Sequence, residues 1–210
     1  MINLLIVDDH PLIRQGLRQT FLDTGDIRVT AEANDGLEAI AKVEHNHFDA
    51  VILDISLPGR SGLDTLKQIK CLSPGLPVLI LSIYPENQYA IRVLKAGADG
   101  YLTKESPPEE LIRAIRKITN GGKHISATLA EKLAVRLEEN NQTATHENLS
   151  DREFQTLLAI ANGKTVKEIA DDLNLSVKTI STYRTRILQK MRLKNNAEII
   201  CYAVRLGLVK

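Results

Sequence analysis

Several polar side chains stand directly behind short apolar runs. Asp8 and Asp9 follow L-L-I-V at 4–7, Asp54 follows V-I-L at 51–53, Ser82 follows V-L-I-L at 78–81, and Thr103 with Lys104 follows Tyr101-Leu102. Where such runs are strands of an open α/β sheet, ligands bind beyond their carboxyl ends, so these residues converge on one edge. Three carboxylates, a hydroxyl and an ammonium would then share a pocket. Packed carboxylates repel unless a cation neutralises them, and hard oxygen ligands suit Mg2+, which keeps several of its waters. Such a metal, with Lys104, would hold phosphoryl oxygens while one Asp attacks phosphorus. Each residue alone has a plainer reading: Asp8-Asp9 as a helix cap, Lys104 as a solvated lysine, Tyr101 as a packing residue, and His10, with no second His or Cys beside it, as a structural neighbour of the acidic pair. Caps and solvated charges have no reason to converge on one pocket, and the convergence is what favours chemistry.

The positioning elements follow from periodicity. With residues 27–31 the apolar runs make five strands, and their uninterrupted aliphatic character fits burial on both faces. Between them, Leu12, Ile13, Leu17 and Phe21, and then Leu37, Ile40 and Ala41, have helical spacing. Alternation of this kind predicts a parallel sheet. Pro11 suits a helix start, Ser61 precedes a helix over 62–70, and Pro107-Pro108 opens one that runs to about Asn120 before Gly121-Gly122. Residues 125–139 keep helical apolar spacing at Leu129, Leu133 and Leu137, and the polar stretch 140–148 reads as a flexible tether.

From Leu149 the signals are purely helical. Ser150 caps a helix to about Asn162-Gly163, Thr165 a short one to Leu173, and Ser176 a longer one to about Met191. Between the last two lie only Asn174, Leu175 and the cap, and Asn adopts the left-handed conformation a tight turn requires. That is helix-turn-helix spacing. On the third helix Val177, Ile180, Ile187, Leu188 and Met191 fall on one side, with Lys178, Ser181, Thr182, Thr185, Arg186 and Gln189 on the other. A basic, hydroxyl-rich front suits the DNA major groove. Arg184 lies within the apolar stripe, so its stem packs while its head snorkels.

The 210 residues allow one large domain or two small ones. A formal net charge of +1 hides an asymmetry, because residues 148–210 hold 11 Lys/Arg against 6 Asp/Glu and residues 1–147 hold 16 against 20. Only the basic tail is expected to meet a polyanion. Trp is absent and aromatics make up 4%, which points to an aliphatic core. Nothing approaches the ~18 apolar residues of a membrane span, so a cytoplasmic protein is expected. Cys71 and Cys201 lie far apart without a Cys-x-x-Cys, which argues against a zinc site or disulfide framework.

Residues 1–121 resemble the receiver domain of two-component response regulators, through Asp8-Asp9, Asp54 in I-L-D-I-S-L-P-G, Ser82, and Y-L-T-K at 101–104. Residues 148–210 resemble the LuxR-type helix-turn-helix of the NarL/FixJ regulators, leaving 122–147 as a helical and flexible linker. The resemblance implies a flavodoxin-like receiver with a five-stranded parallel sheet, followed by an all-α, four-helix DNA-binding domain. By it Asp54 is the phosphoacceptor. Asp9, Asp54 and the backbone carbonyl of Ser56 bind Mg2+, with Asp8 acting partly through water. Lys104 pairs with the phosphoryl group, Ser82 moves to hydrogen-bond it, and Tyr101 changes rotamer. The helix-turn-helix spans about 165–184. Lys178, Thr179, Ser181, Thr182, Thr185, Arg186 and Lys190 are the DNA contacts, and Ala197, Ile200, Cys201 and Val204 pair two copies.

The implied partners are a sensor histidine kinase, a double-stranded DNA operator and a second copy of the chain on phosphorylation or DNA binding. The resemblance also implies that the unmodified receiver covers the recognition helix and that phosphorylation releases it. The receiver assists only its own phosphorylation and dephosphorylation and is not otherwise an enzyme. Arg60 departs from the Met that many receivers carry, which puts local partner contacts in doubt. Two other readings are a phosphohydrolase resembling haloacid dehalogenases, whose usual second Asp is here Ser56, and a DNA-binding protein independent of phosphorylation.

Overall fold

The computed structural model describes residues 1–131 and 145–209, so Leu133, Leu137 and residues 140–144 lie outside the described residues. The chain forms two compact units, Met1–Arg136 and Leu137–Lys210. In the first, strands and helices alternate: β1 (Ile2–Val7), α1 (Pro11–Leu22), β2 (Ile27–Ala33), α2 (Gly36–His45), β3 (Ala50–Leu53), α3 (Gly62–Leu72), β4 (Val78–Ser82), α4 (Glu86–Lys95), β5 (Gly100–Thr103) and α5 (Pro108–Thr119). The strands form one parallel sheet in the order β2-β1-β3-β4-β5. Its chain reversal falls between β1 and β3, where a doubly wound sheet opens a crevice at its carboxyl edge.

Both sheet faces are covered. Leu4, Ile6, Ile52, Leu79, Leu81 and Leu102 pack with Leu17 and Phe21 of α1 and with Leu111, Ala114, Ile115 and Ile118 of α5. The alternate residues Leu5, Val7, Val51, Leu53, Val78 and Ile80 point to the opposite face and are equally buried. Each such aliphatic side chain contributes roughly 1.5–3 kcal/mol on burial. The core is not wholly aliphatic, since Tyr89 and Phe21 are among the largest fully buried side chains. Few aromatics in the composition did not mean none inside.

Register sets the site. Val7 pairs with Leu53, and Ser82 pairs with Thr103. The ladder continues one step past the strands: Asp54 N–H donates to the Val7 carbonyl at 2.9 Å and Lys104 N–H to that of Ser82 at 2.8 Å. Asp8, Asp54, Ser82 and Lys104 therefore leave the sheet along one edge.

The second unit contains a 3-10 turn (Thr145–Asn148), α6 (Asp151–Ala161), α7 (Val166–Asp172), α8 (Val177–Met191) and α9 (Asn196–Arg205). Ser150 and Thr165 each form a complete capping box, with Glu153 and Glu168 closing them. Ser176 caps α8 through the Thr179 N–H, and Asn174 turns the chain at φ 52°. The expected polar tether ends sooner than its composition suggested. His146 is buried, its Nδ1 lies 2.8 Å from the Tyr202 hydroxyl, and its ring stacks on Phe154 at 5.7 Å. A polar residue with a ring partner and a hydroxyl partner is anchored rather than free.

Candidate functional site

At the carboxyl edge of the sheet, Lys104 lies between two carboxylates. Its Nζ donates to Asp8 Oδ2 at 2.6 Å and to Asp54 Oδ2 at 2.7 Å. The Asp8 and Asp54 side chains are only 3% and 1% exposed. The other oxygens are held from the backbone: Ser56 N–H donates to Asp54 Oδ1 at 3.0 Å and His10 N–H to Asp8 Oδ1 at 2.8 Å. Burial pushes the Asp54 carboxyl above the usual carboxylate range, and the adjacent Asp8 adds to this against the pull of Lys104. Burial also opposes the Lys104 charge, yet Asp54 and Asp8 outweigh it and hold the ammonium above its ordinary value.

Asp8, Asp9, His10 and Asp54 each offer a ligand atom within 4.8 Å of the others. Asp9 Oδ1 is buried and accepts no hydrogen bond, although His10 Nδ1 is 2.8 Å away. Three carboxylates against one ammonium, with a buried oxygen that accepts no hydrogen bond, form a set that a hard cation would complete. The acidic cluster is thus able to hold a metal ion. His10, read from sequence as a neighbour of the pair, is exposed and stands in direct contact with both.

Ser82 and Tyr101 converge on the backbone of Tyr84. The Ser82 Oγ accepts the Tyr84 N–H at 3.1 Å, and the Tyr101 hydroxyl donates to the Tyr84 carbonyl at 2.7 Å. Both side chains are buried, and burial pushes the Tyr101 phenol well above its ordinary range. Gly62, at the start of α3, is a site residue that sequence reasoning passed over. A Cβ there would lie 2.0 Å from the Asp54 carbonyl oxygen and 2.6 Å from the Ile55 Cα. Its only sequence signal is its place just after the Ser61 cap.

On α8, Ile180, Ile187 and Met191 are buried, while Lys178, Ser181, Thr182, Thr185, Arg186 and Gln189 are exposed and Thr179 is half-buried. Val177, expected on the packed side, is 51% exposed because it opens the helix. The Thr182 and Thr185 hydroxyls donate back to the Lys178 and Ser181 carbonyls at 2.9 and 3.0 Å. Arg184, half-buried, donates from Nε to Asn196 Oδ1 of α9 at 2.6 Å, which ties its head to the neighbouring helix. Lys190, expected at DNA, donates from Nζ to Glu153 Oε2 at 2.7 Å. On α9, Ala197, Ile200, Cys201 and Val204 form an exposed stripe.

These two sites have counterparts in known proteins. The family model for the response regulator receiver domain matches residues 4–116, and that for bacterial regulatory proteins of the luxR family matches residues 147–203. Response regulator UvrY of Escherichia coli K12 is 36% identical over 209 residues, covering 99% of this chain and 96% of that protein. Response regulator GacA of Pseudomonas aeruginosa is 34% identical over 210 residues, covering 100% and 98%. Among solved structures, RcsB from Salmonella enterica serovar Typhimurium, bound to promoter P1flhDC in the presence of phosphomimetic BeF3-, is 26% identical with a TM-score of 0.67, covering 99% of each chain. With a receiver carrying the acidic pocket and a LuxR-type helix-turn-helix behind it, the chain belongs to the NarL/FixJ family of two-component response regulators, which regulate transcription under the control of phosphorylation.

Proposed function

We propose that a sensor histidine kinase phosphorylates Asp54 and that the phosphorylated chain dimerises on an operator in double-stranded DNA. The observation that carries this is the Lys104 ammonium, 2.6 and 2.7 Å from Asp8 and Asp54. An Asp54 oxygen attacks the phosphorus of the kinase phosphohistidine. The new O–P bond forms as the N–P bond breaks, and the electron pair leaves with the imidazole, which takes up a proton. Asp8, Asp9, Asp54 and the Ser56 carbonyl would hold Mg2+, which when bound offsets the carboxylate charge and steadies the phosphoryl oxygens. Lys104 exchanges its Asp54 contact for the phosphoryl group. The receiver turns over no separate substrate and assists only its own phosphorylation and dephosphorylation.

Ser82 and Tyr101 carry the change outward. When the Ser82 hydroxyl donates to a phosphoryl oxygen, its grip on the Tyr84 N–H loosens, and Tyr101, bonded to the same residue's carbonyl, changes rotamer with it. Phosphorylation needs about 1.4 kcal/mol of preference for one state to shift the balance tenfold. The α9 stripe of Ala197, Ile200, Cys201 and Val204 then pairs two copies. Among the described residues no helix is long and apolar enough to cross a membrane, and the protein works in the cytoplasm.

The DNA-reading face is formed by Lys178, Thr179, Ser181, Thr182, Thr185 and Arg186. Lys190 joins them only by releasing Glu153. Lys178→Ala and Thr182→Ala are each expected to cost about 1–3 kcal/mol of operator binding. In salt titrations log affinity should fall with a slope of about −0.9 per phosphate neutralised. Unchanged binding in both variants, or a flat salt dependence, places the interface elsewhere.

A further inference from the structure

We infer that Arg14 is a positioning residue for the acidic pocket: its guanidinium holds the peptide carbonyl between Asp8 and Asp9 and so aims both carboxylates at the metal and the incoming phosphoryl group. The inference rests on the phosphoacceptor reading above. Arg14 Nη1 donates to the Asp8 carbonyl at 2.6 Å, and its Nε donates to Glu32 Oε2 of β2 at 2.9 Å. The side chain is 12% exposed. A planar guanidinium with two acceptors fixed at once has little freedom left, which a lysine could not reproduce.

The carbonyl it holds is the one that matters for Asp9. Every other polar atom of Asp8 is engaged: its N–H donates to the Ala33 carbonyl at 3.1 Å, Oδ1 accepts from His10 N–H at 2.8 Å and Oδ2 from Lys104 at 2.6 Å. Asp9 has less support: its buried Oδ1 accepts no hydrogen bond, and its near neighbour is the exposed imidazole of His10, with Nδ1 at 2.8 Å. An exposed ring is a loose support, so the Asp9 direction leans on the peptide plane before it, whose carbonyl Arg14 holds. The position is also unfavourable for a cation on local grounds. Arg14 lies near the N-terminal end of α1, where the helix dipole disfavours positive charge, and the cap residue His10 supplies no side-chain hydrogen bond to offset it. Glu32 holds the guanidinium there and also pairs with Arg18 at 3.3 Å. A residue that only pinned α1 to β2 would not need to reach the pocket's backbone.

Mg2+ binding to the full, unphosphorylated chain, read by isothermal titration calorimetry, separates aiming from simple bracing. Arg14→Gln is expected to weaken Mg2+ binding about tenfold, and Arg14→Lys by less, as for partners that orient a metal ligand. Labelling by acetyl phosphate should recover most of its rate when Mg2+ is raised to saturation. Arg116→Gln, which breaks the exposed Arg116–Asp26 pair at 2.8 Å, serves as the control, with urea midpoints measured for all variants. The inference is overturned if Arg14→Gln binds Mg2+ as the wild type does, or if its loss matches that of Arg116→Gln at equal loss of stability. A wild-type chain that binds no Mg2+ overturns the phosphoacceptor reading itself, and the inference falls with it.

Discussion

Asp54→Asn abolishes phosphate incorporation from acetyl phosphate in the presence of Mg2+ while leaving the chain folded; that is the expected result of removing the nucleophile. The amide keeps the carboxylate's shape but has no anionic oxygen to attack phosphorus. The pocket tolerates the change because Lys104 retains Asp8 at 2.6 Å, and the single amide oxygen still accepts from one of Asp54's two donors, Ser56 N–H or Lys104. Burial and Asp8 already work against the Asp54 charge. Lys104 in turn loses one of its two carboxylates, so the metal-free variant should stay folded and close to the wild type in stability. Phosphate incorporation and a urea midpoint check the two halves of this expectation. Labelling at the wild-type level would move the acceptor to Asp8 or Asp9.

Gly62→Ala should be the most damaging single-methyl change in the receiver. The added carbon would meet backbone on every near side: the Asp54 oxygen at 2.0 Å, the Ile55 Cα at 2.6 Å and the Asp54 carbonyl carbon at 2.9 Å. Backbone cannot swing aside as a flexible side chain does, so the loop from β3 to α3 must shift. Overpacking of this kind costs roughly 3 kcal/mol. The displaced segment carries Asp54 and Ser56, and a shift of about 1 Å at a reacting group costs on the order of a hundredfold in rate. Thermal denaturation together with the initial rate of acetyl phosphate labelling reads both effects. Wild-type values in both would show that the close approach does not exist in solution.

What was legible in the sequence was what local chemistry decides. Strand ends were marked by the switch from aliphatic run to carboxylate, and the Ser61, Ser150, Thr165 and Ser176 caps all accept the backbone N–H that such residues serve. Asn174 takes the left-handed turn for the same local reason. The edge strand β2 was clear only in part. Arg28, Thr30 and Glu32 interrupt its apolar residues, so it reads as ending at Ala31 although it pairs with β1 as far as Ala33. Contacts across long separations were not legible. Nothing near Lys190 announces Glu153, which is 37 residues away, and nothing in G-L-D-T announces that Gly62 touches the Asp54 backbone. The strand ends could be picked out along the chain and their convergence on one edge expected from them, but the placing of Lys104 between Asp8 and Asp54 needed the sheet order and register.

If phosphorylation of Asp54 controls where the chain binds DNA, the sites it occupies in the cell must depend on that one carboxylate. Genome-wide occupancy of the wild type and Asp54→Asn, expressed at equal levels under conditions that activate the kinase, tests this whatever the operator sequence is. Strong depletion of the wild-type sites in the variant is the expected result, and the same sites bound to the same extent would contradict the account.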